Sequence, residues 1–297
     1  MKVVLAAPAR VGLLLAPLID CWSVSHTIID DNNPPDAERL SSWATGADAV
    51  LVVASRRRSP RTVLPGPTVP DGTGRLVPVG WFPLLDDQVL RRFARAAAAV
   101  HARPLTRRSV VVLGQRLGRY DDLASRITRL LGEAPGMNVY RWTSYELHRT
   151  DLVAGLGRGP AAAIYVGHAR PTGWAGYAGL RARHFETPSP APVSAILSLT
   201  CHTASRWRTG LSFSEALVSR GACVAALGAV GPTLHTSNAR WAFRVTAAAR
   251  TATTLGELIS TAAQVDPYAD SYRIIGDPTA PLYDDPAFDP NGLEEVA

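Results

Sequence analysis

Ala161-Ala162-Ala163-Ile164-Tyr165-Val166-Gly167-His168 and Val193-Ser194-Ala195-Ile196-Leu197-Ser198-Leu199-Thr200-Cys201 decide the fold. Each is a short apolar run that ends on a reactive side chain. Length and composition are those of buried strands. In an open α/β sheet, functional groups gather at the carboxyl ends of parallel strands, and neighbouring strands lie about 4.8 Å apart. If these two runs are neighbours, the His168 imidazole and the Cys201 thiol meet at one edge of the sheet. That pair is the minimum equipment for a cysteine nucleophile.

Working outward, the order of elements supports a mainly parallel sheet flanked by helices. Downstream, Ser212 to Arg220 reads as a helix closed by Gly221, and Ala222 to Leu227 as another buried strand. Helices follow over Asn238 to Ala249 and Thr254 to Gln264. Upstream, Ser109 to Leu113 and Asn138 to Trp142 read as strands. Asp122 to Leu131 and Ser144 to Gly155 read as helices. The first hundred residues form a smaller α/β unit: strands Lys2 to Ala7 and Ala49 to Ala54, and short helices near Val11 to Ile19 and Ala37 to Thr45. Leu76 to Gly80 reads as a short strand or turn, and Asp86 to Ala102 as an amphipathic helix. Ser55 to Arg75, rich in Arg, Pro, Gly and Thr, reads as a long exposed loop. The expected organisation is an N-terminal α/β subdomain over 1–104, a catalytic subdomain over 105–285 and a tail over 286–297.

Bulk properties narrow the function. The chain has 297 residues, 46% of them hydrophobic, so a large core is available. Lys+Arg exceed Asp+Glu by 31 to 25, almost entirely through arginine. These charges are scattered apart from Arg56-Arg57-Arg58 and Arg61, without an aromatic-interleaved basic face, so nucleic acid is not an expected partner. The three cysteines, Cys21, Cys201 and Cys223, are too few for a disulfide framework and fit a reducing, cytoplasmic compartment. No CxxC pair points to zinc, and neither metal nor cofactor is expected. No run of 18 apolar residues predicts a membrane span. Met1 to Ala9 is read as a first strand rather than a signal peptide, because Pro8 and Arg10 interrupt the apolar run.

Each candidate has a plainer reading. A histidine at a strand end can simply be a satisfied core residue, and a free cysteine a small core hydrophobe. Cys223, inside an apolar strand, is read that way. His202, next to Cys201 on an extended backbone, should point to the other side. His184 and His235 fall in expected loops and remain minor candidates.

In order along the chain, several segments resemble the gingipain-type cysteine peptidases of family C25, within the caspase-like clan. They are Val77-Pro78-Val79-Gly80 before a helix, then Tyr165-Val166-Gly167-His168 with Trp174 beyond it. Leu199-Thr200-Cys201, Phe213-Ser214-Glu215-Ala216-Leu217, the strand from Gly221-Ala222 to Gly228, and Tyr272-Arg273-Ile274-Ile275-Gly276-Asp277-Pro278 follow. The resemblance covers about 76 to 283. It implies a caspase-like α/β fold, His168 as catalytic base and orienter, and Cys201 as nucleophile. It also implies an oxyanion hole of backbone N–H groups near Gly167, His168 or Ala169, together with that of Cys201. There are departures. Ala169 stands where the family usually has glycine. Gln115 aligns where an acid often backs the histidine, and so would orient the ring as a neutral amide. Leu199-Thr200 does not match the Gln-Ala that precedes the cysteine of caspases proper.

The resemblance further suggests cleavage after a basic P1 residue, with Asp121 or Asp122 as the pocket carboxylate and Trp174 lining the cleft. The plainer reading of the two aspartates is N-capping and first-turn charge, and Trp174 could equally cover the core. The expected function is thus a cysteine endopeptidase acting on a protein substrate, with room for an activating partner or an upstream protease cutting in the Arg56 to Arg61 run. Two alternatives stay open: a non-catalytic caspase-like binding module, and a thiol acyltransferase or hydrolase using the same dyad. A nucleotide-binding protein is disfavoured, since no glycine-rich phosphate loop is present.

Overall fold

A computed structural model describes residues 1–30 and 35–289. From residue 290 onward the expected C-terminal tail lies outside the described residues. The strands are β1 (Lys2–Ala7), β2 (Ser23–Ile28), β3 (Ala49–Ser55), β4 (Thr68–Pro70), β5 (Leu76–Leu84), β6 (Arg108–Gly114), β7 (Met137–Thr143), β8 (Ala162–Val166), β9 (Ala169–Arg170), β10 (Gly173–Trp174), β11 (Val193–Leu199), β12 (Cys223–Ala229) and β13 (Tyr272–Gly276). The main sheet has the order β2-β1-β3-β5-β13-β12-β11-β8-β6-β7, with β4 beside β5. It is mostly parallel, and β13 runs antiparallel to β12. The sheet is continuous past residue 104, because β13 from the end of the chain sits between β5 and β12.

The central strands are largely apolar because helices cover both faces, the buried exceptions being Ser194 and Ser198 of β11 and Arg273 of β13. Every residue of β8, β11, β12 and β13 is buried. The covering helices follow from their own sequence. In the Asp87–His101 helix the Asp86 carboxylate caps the Val89 N–H, and Leu90, Phe93, Ala94, Ala97 and Val100 form the buried stripe. The Phe213–Arg220 helix opens on a Ser212–Glu215 capping box and closes on Gly221 at φ +75°. Among the described residues, no helix is long and apolar enough to cross a membrane.

Several expectations are corrected. The stretch 55–75 is no long exposed loop. It holds a short helix (Pro60–Val63) and β4, and it buries Val63, Leu64 and Val69. β2 is an added parallel strand beside β1. Val11 to Ile19 is two short helices, Val11–Leu14 and Ala16–Ile19. The helix expected from Ser144 begins at Arg149. The helix expected from Asp122 begins at Gly118, and that expected from Asn238 begins at His235.

β8 and β11 are parallel neighbours, with Val166 opposite Leu199. Gly114 of β6 is opposite Val166 in turn. The residues that follow these three ends, Gln115, Gly167-His168 and Thr200-Cys201, therefore emerge side by side at one edge.

Candidate active site

His168 and Cys201 each lie two residues beyond a paired position of adjacent strands. His168 is exposed and Cys201 partly so. The two strand ends are cross-linked by the Thr200 hydroxyl, which donates to the Gly167 carbonyl at 2.6 Å.

The main chain of His168 is clamped on both sides. Its N–H donates to Gln115 Oε1 at 2.6 Å. Its carbonyl accepts from the Tyr165 hydroxyl and from the Ala175 N–H, both at 2.9 Å. Tyr165 is buried and stacks on Trp174, with ring centroids 4.3 Å apart. Gly167 makes this possible. A Cβ there would stand 2.3 Å from the Tyr165 hydroxyl oxygen and 2.8 Å from Gln115 Cβ. Only a residue without a side chain admits both clamps.

The imidazole faces Arg119, Tyr120 and His235. The Arg119 guanidinium donates to His168 Nε2 at 2.8 Å. That contact assigns Nε2 as the acceptor and so places the proton of the neutral ring on Nδ1. Tyr120 meets the ring edge-on at 5.3 Å between centroids and meets His235 likewise at 5.1 Å. His168 is exposed as a residue, yet partial desolvation of its ring, against which Tyr120 packs, then Arg119, then His235 hold it below its ordinary pKa. Its ring nitrogens have no carboxylate partner among the described residues, so the imidazole rests neutral.

The sulfur of Cys201 turns to Thr233, in the loop that follows β12. It lies 3.2 Å from the Thr233 hydroxyl and 3.4 Å from both the carbonyl and the N–H of that residue. The next residue, His202, sits at φ +62°. A side chain in this region costs about 1–3 kcal/mol and persists where the surroundings impose it. Here the His202 N–H is held by the Gly231 carbonyl at 3.0 Å. The loop beyond is anchored by Arg206, which donates to both oxygens of the buried Glu215 at 3.0 and 2.9 Å and to the carbonyls of Arg56 and Arg58. Glu215 also accepts from Trp81 Nε1 at 2.9 Å.

The remaining expected site residues divide. Gln115 is at the site but holds the backbone of His168 rather than its ring; its carbonyl oxygen is committed to the N–H. The same bond removes the His168 N–H from the oxyanion donors. Gly167 and Ala169 flank His168, and Ala169 pairs with Trp174 in the β9–β10 ribbon. Trp174 does not line a cleft. It is fully buried, donates to Ser198 Oγ at 2.9 Å and packs against Tyr165 and Phe213. Asp121 and Asp122 lie in the Gly118–Gly132 helix, whose N-cap is Leu117, so neither is a cap. Asp121 pairs with Arg141 at 3.4 Å, and Asp122 is exposed.

Sequence reading missed Arg119, Tyr120 and Thr233, and underrated His235. All four follow a strand of this sheet closely. Applying the strand-end rule to β6 and β12, and not only to β8 and β11, would have found them.

Comparison with known proteins agrees with this architecture. Gingipain R (RgpB), described as an Arg-specific cysteine proteinase, superposes with a TM-score of 0.70 at 13% identity, covering 94% of this chain and 78% of that one. The complex of Porphyromonas gingivalis RgpB pro- and mature domains gives 0.68 at 13%, covering 95% and 80%. The Saccharomyces cerevisiae separase in its securin complex gives 0.50 at 13%, covering 77% of this chain and 16% of that one. A search of curated proteins returns no significant match. The sequence model of peptidase family C25 matches residues 77–283, most of the chain. The protein therefore belongs to peptidase family C25, the gingipain-type cysteine peptidases, and carries their caspase-like α/β fold.

Proposed function

We propose that this cysteine peptidase works through a Cys201–His168 dyad and cuts protein substrates after a basic residue. The observation that carries the dyad is the pairing of β8 with β11, which brings both side chains to one solvent-reachable edge. In this mechanism Nε2, the ring's one unprotonated nitrogen, gives up its Arg119 contact to take the thiol proton, and the sulfur attacks the scissile carbonyl. Backbone N–H groups of Gly167, Ala169 and Cys201 receive the developing oxyanion. The imidazolium protonates the leaving amine, and water then hydrolyses the thioester. The depressed basicity of His168 suits protonation of the leaving amine, since an imidazolium held beside Arg119 gives its proton up readily.

A protein substrate fits the surface around the dyad. Leu117, Trp207 and Leu234 are exposed apolar side chains in loops that follow β6, β11 and β12. In this reading they are contacts for an extended substrate chain. The basic P1 preference rests on likeness to the Arg-specific gingipain R, with the exposed Asp122 as the carboxylate nearest in sequence to that role. A regulatory partner is part of the proposal, because two of the similar structures are complexes with a pro-domain and with securin. The three unpaired cysteines support a reducing, cytoplasmic setting.

The test is a fluorogenic panel with Arg, Lys, Asp and Leu at P1. Cleavage after Arg or Lys is expected, and Cys201→Ala should abolish it. Turnover that survives Cys201→Ala would overturn the dyad. Preference for Asp or Leu would overturn the P1 assignment.

A further inference from the structure

The sulfur of Cys201 ends a chain of hydrogen bonds that starts deep in the core. Tyr272, fully buried on β13, donates from its hydroxyl to Asn238 Oδ1 at 2.7 Å, and Tyr268 reaches the same oxygen at 3.4 Å. Two phenols on one side fix the carbonyl end of the Asn238 amide toward them. The amide nitrogen then points the other way and donates to Thr233 Oγ1 at 2.7 Å. With that lone pair occupied, the Thr233 hydroxyl proton is free to point at Cys201 Sγ, 3.2 Å away. The Thr233 N–H also approaches the sulfur, at 3.4 Å.

We infer that Thr233, oriented by Asn238 and Tyr272, is a positioning residue that seats the Cys201 sulfur and presents it with two donors. This rests on the reading of Cys201 as the nucleophile and extends it to residues outside the dyad.

The direction of the chain matters. Phenol donates to amide and amide to hydroxyl, which leaves the hydroxyl proton to turn to Sγ, while the thiol proton has the Thr233 carbonyl at 3.4 Å as its own acceptor. Hydrogen bonds to a charged acceptor are about twice as strong as those between neutral groups, so the arrangement favours an electron-rich sulfur. Linked bonds of this kind also polarise one another. The burial of Asn238 and Tyr272 keeps water from replacing either link. Thr233 stands just before the 15-residue His235–Ala249 helix, whose positive end therefore lies near the sulfur as well. Mechanically, the same contacts select one rotamer of Cys201. The sulfur is held at the rim while the clamped backbone of His168 holds the imidazole, so each half of the dyad has its own support.

The experiment compares wild type, Thr233→Val, Thr233→Ser and Tyr272→Phe. Iodoacetamide alkylation is followed at one pH, with peptide mapping to separate Cys201 from Cys21, which is exposed and serves as an internal reference. Thr233→Val, which keeps shape and removes the hydroxyl, should slow alkylation of Cys201 about tenfold and leave Cys21 unchanged. Thr233→Ser should restore the wild-type rate to within about twofold. Tyr272→Phe should slow Cys201 by a smaller factor, and it tests the chain should Thr233→Val fail to fold. In peptide turnover, Thr233→Val should lower kcat with KM unchanged. Wild-type Cys201 reactivity in Thr233→Val, or an equal loss in Thr233→Ser, would overturn the assignment while leaving the nucleophile in place. A folded wild type whose Cys201 never reacts would overturn the nucleophile and the assignment with it.

Discussion

Replacing Gly167 by alanine tests whether the backbone clamp on His168 matters, and the structure gives opposing effects to weigh. The added Cβ would lie 2.3 Å from the Tyr165 hydroxyl oxygen, 2.6 Å from its Cζ and 2.8 Å from Gln115 Cβ. All three approaches are below van der Waals contact. Reducing the entropy of the unfolded chain would stabilise the alanine variant by about 0.4–1 kcal/mol. Overpacking costs about 1–3 kcal/mol. The atoms that must give way are those that hold His168, Tyr165 Oη on its carbonyl and Gln115 on its N–H. Losing these two bonds adds about 0.5–1.5 kcal/mol each. Steric cost therefore wins, with a net loss of about 1–6 kcal/mol. A shift of His168 by about 1 Å would also cost about a hundredfold in turnover. Urea unfolding read by tryptophan fluorescence gives the first quantity and kcat/KM the second. Tyr165→Phe removes the shortest of the three contacts, so Gly167→Ala should cost less stability in that background. An alanine variant as stable and active as wild type would refute the clamp.

Three further outcomes follow from the same geometry. Arg119→Gln removes the cation nearest His168, so the imidazole should titrate at higher pH, as NMR of the ring carbons would show. An unchanged or lower titration would contradict the contact. Glu215→Ala leaves Arg206 without its buried partner and should cost about 3–5 kcal/mol in denaturant unfolding; a change under about 1 kcal/mol would show that the loop after Cys201 is not anchored there. Acidification should destabilise the fold. Burial lowers the pKa of His168, His184 and His202, so the unfolded chain binds these protons first. Their contribution is complete above the unfolded value of about 6.5 and is lost as pH falls through the folded values. Tm should drop between pH 7.5 and 5.5, and an unchanged or rising Tm would contradict this.

What could be read from sequence follows where burial imposes a pattern. β8, β11 and β12 are buried on both faces, and their apolar runs and the groups at their ends were legible. The Asp87–His101 helix announced itself by its stripe and its cap. β2 did not, because Ser23–Ile28 lies at the sheet edge and exposes four of six side chains, leaving no apolar alternation to detect. The stretch 55–75 has loop composition, yet main-chain pairing of β4 with β5 orders part of it. Trp174 misled because a tryptophan beside a catalytic motif has the same appearance whether it faces substrate or stacks under Tyr165. Gln115 follows β6 and stands beside His168, but which atom of His168 it holds depends on a distance that only the fold supplies. Thr233 and Asn238 act through contacts that cross three elements, which spacing alone does not encode.

The most direct test of the dyad is covalent. Wild type would be incubated with a peptidyl chloromethyl ketone carrying Arg at P1, and the modified residue located by mass spectrometry. One adduct is expected, on Cys201, formed at least about a hundredfold more slowly in His168→Ala, on the order of the general-base contribution. An adduct confined to Cys21, or one formed on Cys201 at the same rate without His168, would contradict it.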